Sequence, residues 1–417
     1  MKQETSAALA PPQSYRVPFS GVGYRYSAED KDAVMQAMDS SVTLTQGSNQ
    51  VKFEEKFARF IGVPAAFATS SAAAAFELSA ILMNLSPGDE VICPAHTYCA
   101  SAYPFARHGV QMRWADINRD TFVVSVESVK SLISERTKAI IAVHLYGLPA
   151  DLDQLREVAN QANVLLIEDC AQSIGAKFGE AETGSVGDLA VYSFQSHKNI
   201  STLGEGGMLT VQNPELSKHV AGLRHNGHRP FVRSDSRYWY PAMSDVGFDI
   251  EGVWPHNFCM GEPQAAIGTV LLDHVAEINS KRRSRFLYSQ EALSAYPELV
   301  FQTIPDGRTS SHHLLPFRYD GYNYGANNHD FMERLVQQHL IQPATQYYPL
   351  NRYELFAASG NGEADVPNTD EFFDNMVSLP FHVWMPDLDF RYVVESVAET
   401  AEHLRAHGGS WARKATQ

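Results

Sequence analysis

The sequence predicts an α/β fold: a large domain with a mostly parallel sheet sandwiched by helices, then a smaller α+β C-terminal domain. Three observations carry this expectation. Short apolar runs alternate with helical stretches from Phe67 to Val211. The runs are apolar throughout rather than at every second position, as in strands buried on both faces. Past Gly261 the pattern changes to a long helix, a strand and two further helices. A chain of 417 residues can build two such domains sharing an interface.

The elements follow in order. Residues 1–17, rich in Ala, Pro, Gln and Ser, read as a loose tail, with order beginning near Val17. Ser27 reads as an N-cap ahead of Ala28-Glu29-Asp30 and the apolar Val34, Met35 and Met38. Candidate strands are Glu90–Cys93, Gln111–Trp114, Ala139–Val143 and Val164–Ile167, with helices over Ala72–Leu82 and Leu152–Ala162. Residues 213–250 are polar and aromatic, with Arg224 to Arg229 and Tyr238-Trp239-Tyr240, and read as a loop-containing excursion. A helix runs from Gln264 towards Arg285, then a strand over Leu314–Tyr319, a helix over Asp330–His339 and a last helix near Phe390–His407. The expected division is a tail at 1–17, a large domain at 18–262 and a small domain at 263–417.

Composition removes several function classes. The net charge of −15, from 33 basic against 48 acidic residues, repels phosphate backbones and anionic lipid, so no nucleic-acid or membrane partner is expected. No apolar run approaches the ~20 residues that span a bilayer, and the start lacks a signal-peptide core. Cys93, Cys99, Cys170 and Cys259 form no CxxC pair and no zinc spacing, which predicts free thiols, no metal site and a reducing, cytoplasmic compartment.

Two segments carry chemistry. Ile167 to Gln172 is an apolar strand ending directly in acids, and a buried carboxylate costs desolvation energy unless a cation or donors meet it. Val191 to Asn199 delivers Lys198 into a loop ahead of Gly204-Glu205-Gly206-Gly207. Alone, the acid is better read as an Asp capping the following turn and the lysine reads also as a surface Lys in a polar loop, so neither motif decides the case. Together they match what pyridoxal phosphate asks of a protein: an amine for a Schiff base, an acid for the ring nitrogen, an anion cradle and a flat group on the ring face. The small-residue turn Thr69 to Ala74 at a helix start suits a phosphate. Tyr98, just after a strand, is placed to stack.

The ordered segments Leu44-Thr45-Gln46-Gly47, Pro87 to Val91, Val143 to Gly147, Glu168 to Gln172, Ser193-Phe194 with Lys198-Asn199, Gly204 to Gly207 and Gln264 to Gly268 resemble the DegT/DnrJ/EryC1/StrS family of sugar aminotransferases, which are fold-type I pyridoxal-phosphate enzymes. The resemblance runs from about Phe19 to about Ala406. It implies that the large domain binds the cofactor. It further implies that Lys198 forms the Schiff base and shuttles protons, Asp169 pairs with the ring nitrogen, Gln172 meets the ring hydroxyl and Tyr98 stacks. Ser71, Ala72, Ala73 and Ser193 would serve the phosphate. Asn257 would reach the phosphate of a neighbouring subunit, so the implied unit is a homodimer with shared sites. The implied reaction moves an amino group from glutamate or glutamine to a keto sugar, nucleotide-linked, by a ping-pong route in amino-sugar biosynthesis.

The sequence departs from the family pattern in three places. Ser71-Ala72-Ala73 replaces Ser-Gly-Thr, Asn257-Phe258-Cys259 replaces Asn-Tyr-Arg, and Tyr348-Pro349-Leu350-Asn351 ends in Asn rather than His. Cys cannot clamp a carboxylate as Arg does. Arg224 and Arg229 are then the candidates for an anionic substrate group, against ordinary ion pairing. Among His96, His144, His197, His225, His228 and His313, each is more often structural than a ligand. His197 should point away from its neighbour Lys198 if the segment is extended. Cys99 and Cys170 read as packing residues. Three alternatives stay open: a keto-cyclitol acceptor, suggested by Gln195 in Ser193-Phe194-Gln195; a dehydratase of the same fold, disfavoured because it has His in place of Lys198; and a non-catalytic regulatory protein.

Overall fold

A computed structural model of the chain describes residues 12–228, 246, 247, 250 and 252–409. Arg229 and Tyr238-Trp239-Tyr240 lie outside the described residues. The first helix, Ala28–Ser40 (α1), opens with the expected cap: the Ser27 hydroxyl accepts from the Asp30 N–H, and Asp30 accepts from the Ser27 N–H. Helix Ser48–Ile61 (α2) buries Phe53, Phe57 and Ile61, spaced four apart along one face. Its N-terminal N–H groups are met from far along the chain, because Glu262 accepts from the backbone of Gly47, Asn49 and Gln50.

Strands Ala65–Thr69 (β1), Glu90–Pro94 (β2), Gln111–Ala115 (β3), Thr137–Val143 (β4) and Leu165–Asp169 (β5) alternate with helices. The helices are Ala72–Leu82 (α3), Tyr103–Arg107 (α4), Val126–Leu132 (α5) and Leu152–Ala162 (α6). After a ribbon of Lys177–Phe178 (β6) and Ala181–Glu182 (β7) come Leu189–Ser193 (β8) and Gly207–Val211 (β9). The central sheet has seven strands in the order β1-β9-β8-β5-β4-β2-β3. Only β9 runs against its neighbours. The carboxyl ends of β1, β2, β5 and β8 and the start of β9 therefore share one edge, where ligands gather in sheets of this kind. Strands β2, β4 and β9 are buried along nearly their whole length, which explains their largely apolar sequence, while the edge strands β1 and β3 alternate buried with half-buried positions.

Within 213–250 the structure has a helix, Pro214–Arg224 (α7), which the loop reading missed; Asn213 caps it and Pro214 sits in its first turn. Helix Glu262–Ala292 (α8) leads to a three-stranded antiparallel sheet, Leu299–Phe301 (β10), Leu315–Tyr319 (β12) and Met376–Leu379 (β13). Arg308–Thr309 (β11) joins the ribbon by pairing with β6, tying the two halves of the chain together. Asn328–His339 (α9) and Asp387–His407 (α12) pack beside the small sheet, with Glu354–Ala358 (α10) and Pro367–Asn375 (α11) between them in sequence. Val17 is buried and bridges Ile341. No helix among the described residues is long and apolar enough to cross a membrane.

Candidate active site

At the shared edge lies a cavity of roughly 620 Å³, lined by Ser71, Ala72, Ala73, Tyr98, Asp169, Gln172, Ser193 and Lys198. Eight of the nine site residues expected from sequence thus meet in one place. The ninth, Asn257, is exposed and does not line it.

Lys198 is carried on a loop between β8 and β9. That loop is closed by Phe194 N–H to Gly206 O at 2.9 Å and Ser196 N–H to Gly204 O at 3.0 Å. Gly23 packs so closely on it that a Cβ there would collide with the carbonyls of His197 and Lys198. The Lys198 side chain retains some exposed area but lies deep in the protein mass. Burial pulls its amine down to about 8, with the charges of Asp169 and Glu205 opposing the shift. With that shift about a tenth of the amine is neutral near pH 7, against well under a hundredth for an ordinary lysine, and the neutral form is the one that captures a carbonyl.

Asp169 ends β5, buried. Its Oδ2 accepts the Ser101 hydroxyl at 2.6 Å and its Oδ1 the Ala171 N–H at 3.0 Å. Burial nonetheless pushes the carboxyl upward, against those donors and the Lys198 charge. Behind it, Glu168 is fully occupied by the N–H groups of Gly184, Val186 and Gly187 and by His144. The His144–Glu168–Cys170 group is thus already partnered by the chain itself.

Helix α3 aims its N-terminus into the cavity. Ser71 caps it by accepting from the Ala74 N–H, leaving the N–H groups of Ala72 and Ala73 without intrahelical partners. Gly207 leaves room for this turn, since a Cβ there would strike Ser71 and Ala72. Gln172 is fixed by the Tyr146 N–H donating to its Oε1 at 2.7 Å, which turns Nε2 towards the Tyr347 hydroxyl, 3.4 Å away. The rings of Tyr98 and Tyr347 meet edge to face at 6.0 Å.

Several sequence readings change. Arg224 does not face a ligand: it is buried, paired with Glu54 at 2.5 Å and donating to the Ala68 carbonyl at 2.6 Å. His197 lines the cavity instead of pointing away, because its loop is turned rather than extended. His96 is buried on the Tyr146 hydroxyl, and His225 and His228 contact each other away from the cavity. Gln195 has its amide engaged inside the lysine loop, with the His197 N–H and the Ser196 hydroxyl. Cys259 sits half-buried beside the Arg224 carbonyl. Sequence reasoning missed Ser101, Glu205, Gln346 and Tyr347 as lining residues, and His313, weighed there as more often structural, lines the cavity as well. Ser101 had a local signal, three residues past Tyr98; Gln346 and Tyr347 had none, arriving from the far half of the chain. Lys198 is the only Lys or Arg lining the cavity among the described residues.

A half-buried amine of lowered proton affinity and a buried acid on the carboxyl edge of this sheet, with a helix N-terminus opening into the same cavity, fit pyridoxal phosphate, and the fold is that of a fold-type I transferase. The family model for the DegT/DnrJ/EryC1/StrS aminotransferase family matches residues 25–398, and the chain belongs to that family. It is 31% identical to an uncharacterized protein of Methanocaldococcus jannaschii over 87% of this chain and 92% of the relative. It is 38% identical to GDP-perosamine synthase of Caulobacter vibrioides over 61% of this chain and 64% of that enzyme. Among solved structures it resembles the aminotransferase TlmJ of Streptoalloteichus hindustanus, with a TM-score of 0.82, 25% identity and coverage of 93% and 99% of the two chains. Family membership makes the protein an aminotransferase and implies pyridoxal phosphate as its cofactor.

Proposed function

We propose that the protein transfers an amino group from glutamate or glutamine to a nucleotide-linked keto sugar. The observation that carries this reading is the convergence of Lys198 and Asp169 on one cavity with the α3 N-terminus. When bound, the cofactor supplies an electron sink for bond changes at the amine-bearing carbon. Lys198 holds the cofactor aldehyde and moves the proton at that carbon. Asp169, steadied by Ser101 and Ala171, holds the ring-nitrogen proton. The N–H groups of Ala72 and Ala73, with the Ser71 and Ser193 hydroxyls, bind the phosphate. Tyr98 covers the ring face and Gln172 meets its hydroxyl.

The sugar reading draws on the family and on GDP-perosamine synthase among the relatives. Lys198 at the reactive position favours aminotransfer over dehydration. Gln195, which suggested a cyclitol, has its amide tied up within the loop. With Lys198 the single Lys or Arg in the cavity among the described residues, a dicarboxylate donor and a diphosphate need further positive charge, and a second subunit is its natural source. We assign Asn257 to the neighbour's cavity in a homodimer, supported by its exposure one residue from Phe258, whose carbonyl anchors Ser70. The test is the visible spectrum of the purified protein before and after glutamate, then after glutamine, followed by a screen of nucleotide-linked keto sugars. Bleaching by a donor and return of the band with a sugar acceptor is expected. A band that no donor bleaches would favour a non-catalytic binder and overturn the reading.

A further inference from the structure

His313 reaches the cavity from the far half of the chain, in the segment leading into β12, and it does so with one nitrogen already committed. The commitment can be read from a chain of amides with a fixed direction. It begins at the Ile174 carbonyl, which can only accept, and which takes a hydrogen bond from Asn279 Nδ2 at 2.8 Å. That orients the Asn279 amide so that its Oδ1 accepts from Asn199 Nδ2 at 3.0 Å. A second main-chain carbonyl, of Ser311, accepts from the same Asn199 nitrogen at 3.1 Å. With its nitrogen doubly engaged, Asn199 can present only its oxygen to His313 Nδ1, 3.1 Å away. Nδ1 must therefore carry the proton, and Nε2 is a bare lone pair.

The ring is held in place as firmly as its tautomer. His313 and Asn199 are both buried, the His313 N–H donates to the Tyr146 carbonyl at 2.8 Å, and its carbonyl accepts from Arg282 at 2.9 Å. The charged or titratable groups that act on the ring are Lys198, Arg282 and His197. Arg282 has its guanidinium engaged by the carbonyls of His312, His313 and Phe381. Burial, with these neighbours, holds His313 well below the usual histidine range, so the ring stays neutral. The Lys198 amine makes no hydrogen bond with the described residues, its backbone N–H alone donating, to the Gln195 carbonyl, and Asp169 already accepts from Ser101 and Ala171.

We propose that His313 is a positioning residue for Lys198: its bare Nε2 is the acceptor on which the lysine amine docks whenever that amine is free. The aminotransferase reading requires Lys198 to be released and recaptured in every cycle, and this inference rests on that reading. A free lysine without an acceptor would sample many rotamers or swing towards Glu205 at the cavity rim. An acceptor of fixed tautomer keeps the nitrogen beside the place where it must act again. The opposite tautomer would present an N–H to the amine and repel its charged form.

The test is done on the full chain freed of bound cofactor, so it does not depend on turnover. Lys198 is acetylated with limiting acetic anhydride across pH, and its labelling midpoint is read by mass spectrometry against exposed Lys52. His313→Asn keeps an N–H for Asn199 where Nδ1 stood but removes the acceptor at Nε2. Its Lys198 midpoint should fall by roughly one pH unit, because a hydrogen bond to the charged amine is lost. His313→Gln, which places an amide oxygen near the old Nε2, should restore much of the shift. An unchanged midpoint in a folded His313→Asn variant overturns the proposal. If that variant fails to fold, nitrogen NMR of the histidines in the unaltered chain decides: a protonated Nε2 on His313 overturns the proposal, and a bare Nε2 beside a protonated Nδ1 supports it. An unaltered-chain midpoint near that of ordinary lysines would instead sink Lys198 as the reactive amine, so the two failures are distinguishable.

Discussion

Ser101 donates its hydroxyl to Asp169 Oδ2 at 2.6 Å, linking the turn after β2 to the end of β5 across the floor of the cavity. The contact holds the acid against a burial that would otherwise favour its protonated form. Ser101→Ala should leave the cofactor bound and lower kcat about tenfold, the usual weight of a hydrogen bond to a charged group. Parallel measurement of cofactor absorbance and turnover checks it; an unchanged kcat would remove Ser101 from the site.

Lys198→Ala should abolish covalent capture of pyridoxal phosphate. Borohydride reduction followed by peptide mass spectrometry reads this directly, and a cofactor adduct elsewhere in the cavity would show the amine to be misassigned. Asp169→Asn should still bind the cofactor yet lose at least roughly a hundredfold in turnover, since a neutral amide cannot hold the ring-nitrogen proton.

Arg224 is expected to behave as a structural residue. Arg224→Ala removes the partner of Glu54 and a donor to the Ala68 carbonyl, which should destabilise the fold by about 3 kcal/mol. Denaturant melts test this. A raised KM for the amino donor with unaltered stability would return Arg224 to the substrate.

Stability should fall as the solution is acidified below about pH 6.5, where histidines of the unfolded chain begin to take up protons. Burial depresses His96 and His312 to about 3, His382 to about 4 and His313 well below its usual range. The folded chain leaves these rings neutral while the unfolded chain binds protons, so each costs about 1.4 kcal/mol per pH unit until its folded pKa is reached. Urea midpoints between pH 7 and pH 5 give the slope. A flat profile would mean that the rings titrate normally.

Mixing Lys198→Ala chains with Asn257→Ala chains should recover part of the lost activity, because each mixed dimer would hold one intact cavity. Recovery has to accompany demonstrated heterodimers; heterodimers without activity would confine Asn257 to its own subunit.

Much of this was legible in sequence because the large domain advertises itself locally. Continuous apolar strands, the Ser27 cap and the acids at the end of β5 are all short-range signals. Lys198 and Asp169 could be paired because each ends or follows a strand of a parallel sheet, which fixes the edge on which both emerge. The antiparallel course of β9 was not legible, since its apolar sequence reads the same in either direction. Arg224 looked available because nothing nearby in sequence names Glu54, which is 170 positions away. Tyr347 was missed and His313 read as structural for the same reason, as only tertiary folding brings them to the cavity.

The wide spacing of the cavity's walls has a consequence for synthesis on the ribosome. The α3 turn, Asp169 and Lys198 emerge early, but Tyr347 cannot close over Gln172 until five-sixths of the chain has left the tunnel. Until then the lysine amine stands in water, without the burial that lowers its proton affinity. A nascent chain stalled before β12 would already hold Asp169 and Lys198 and still behave as though the latter were an ordinary surface lysine. Competence thus arrives late in translation, with the same segment that encloses the site.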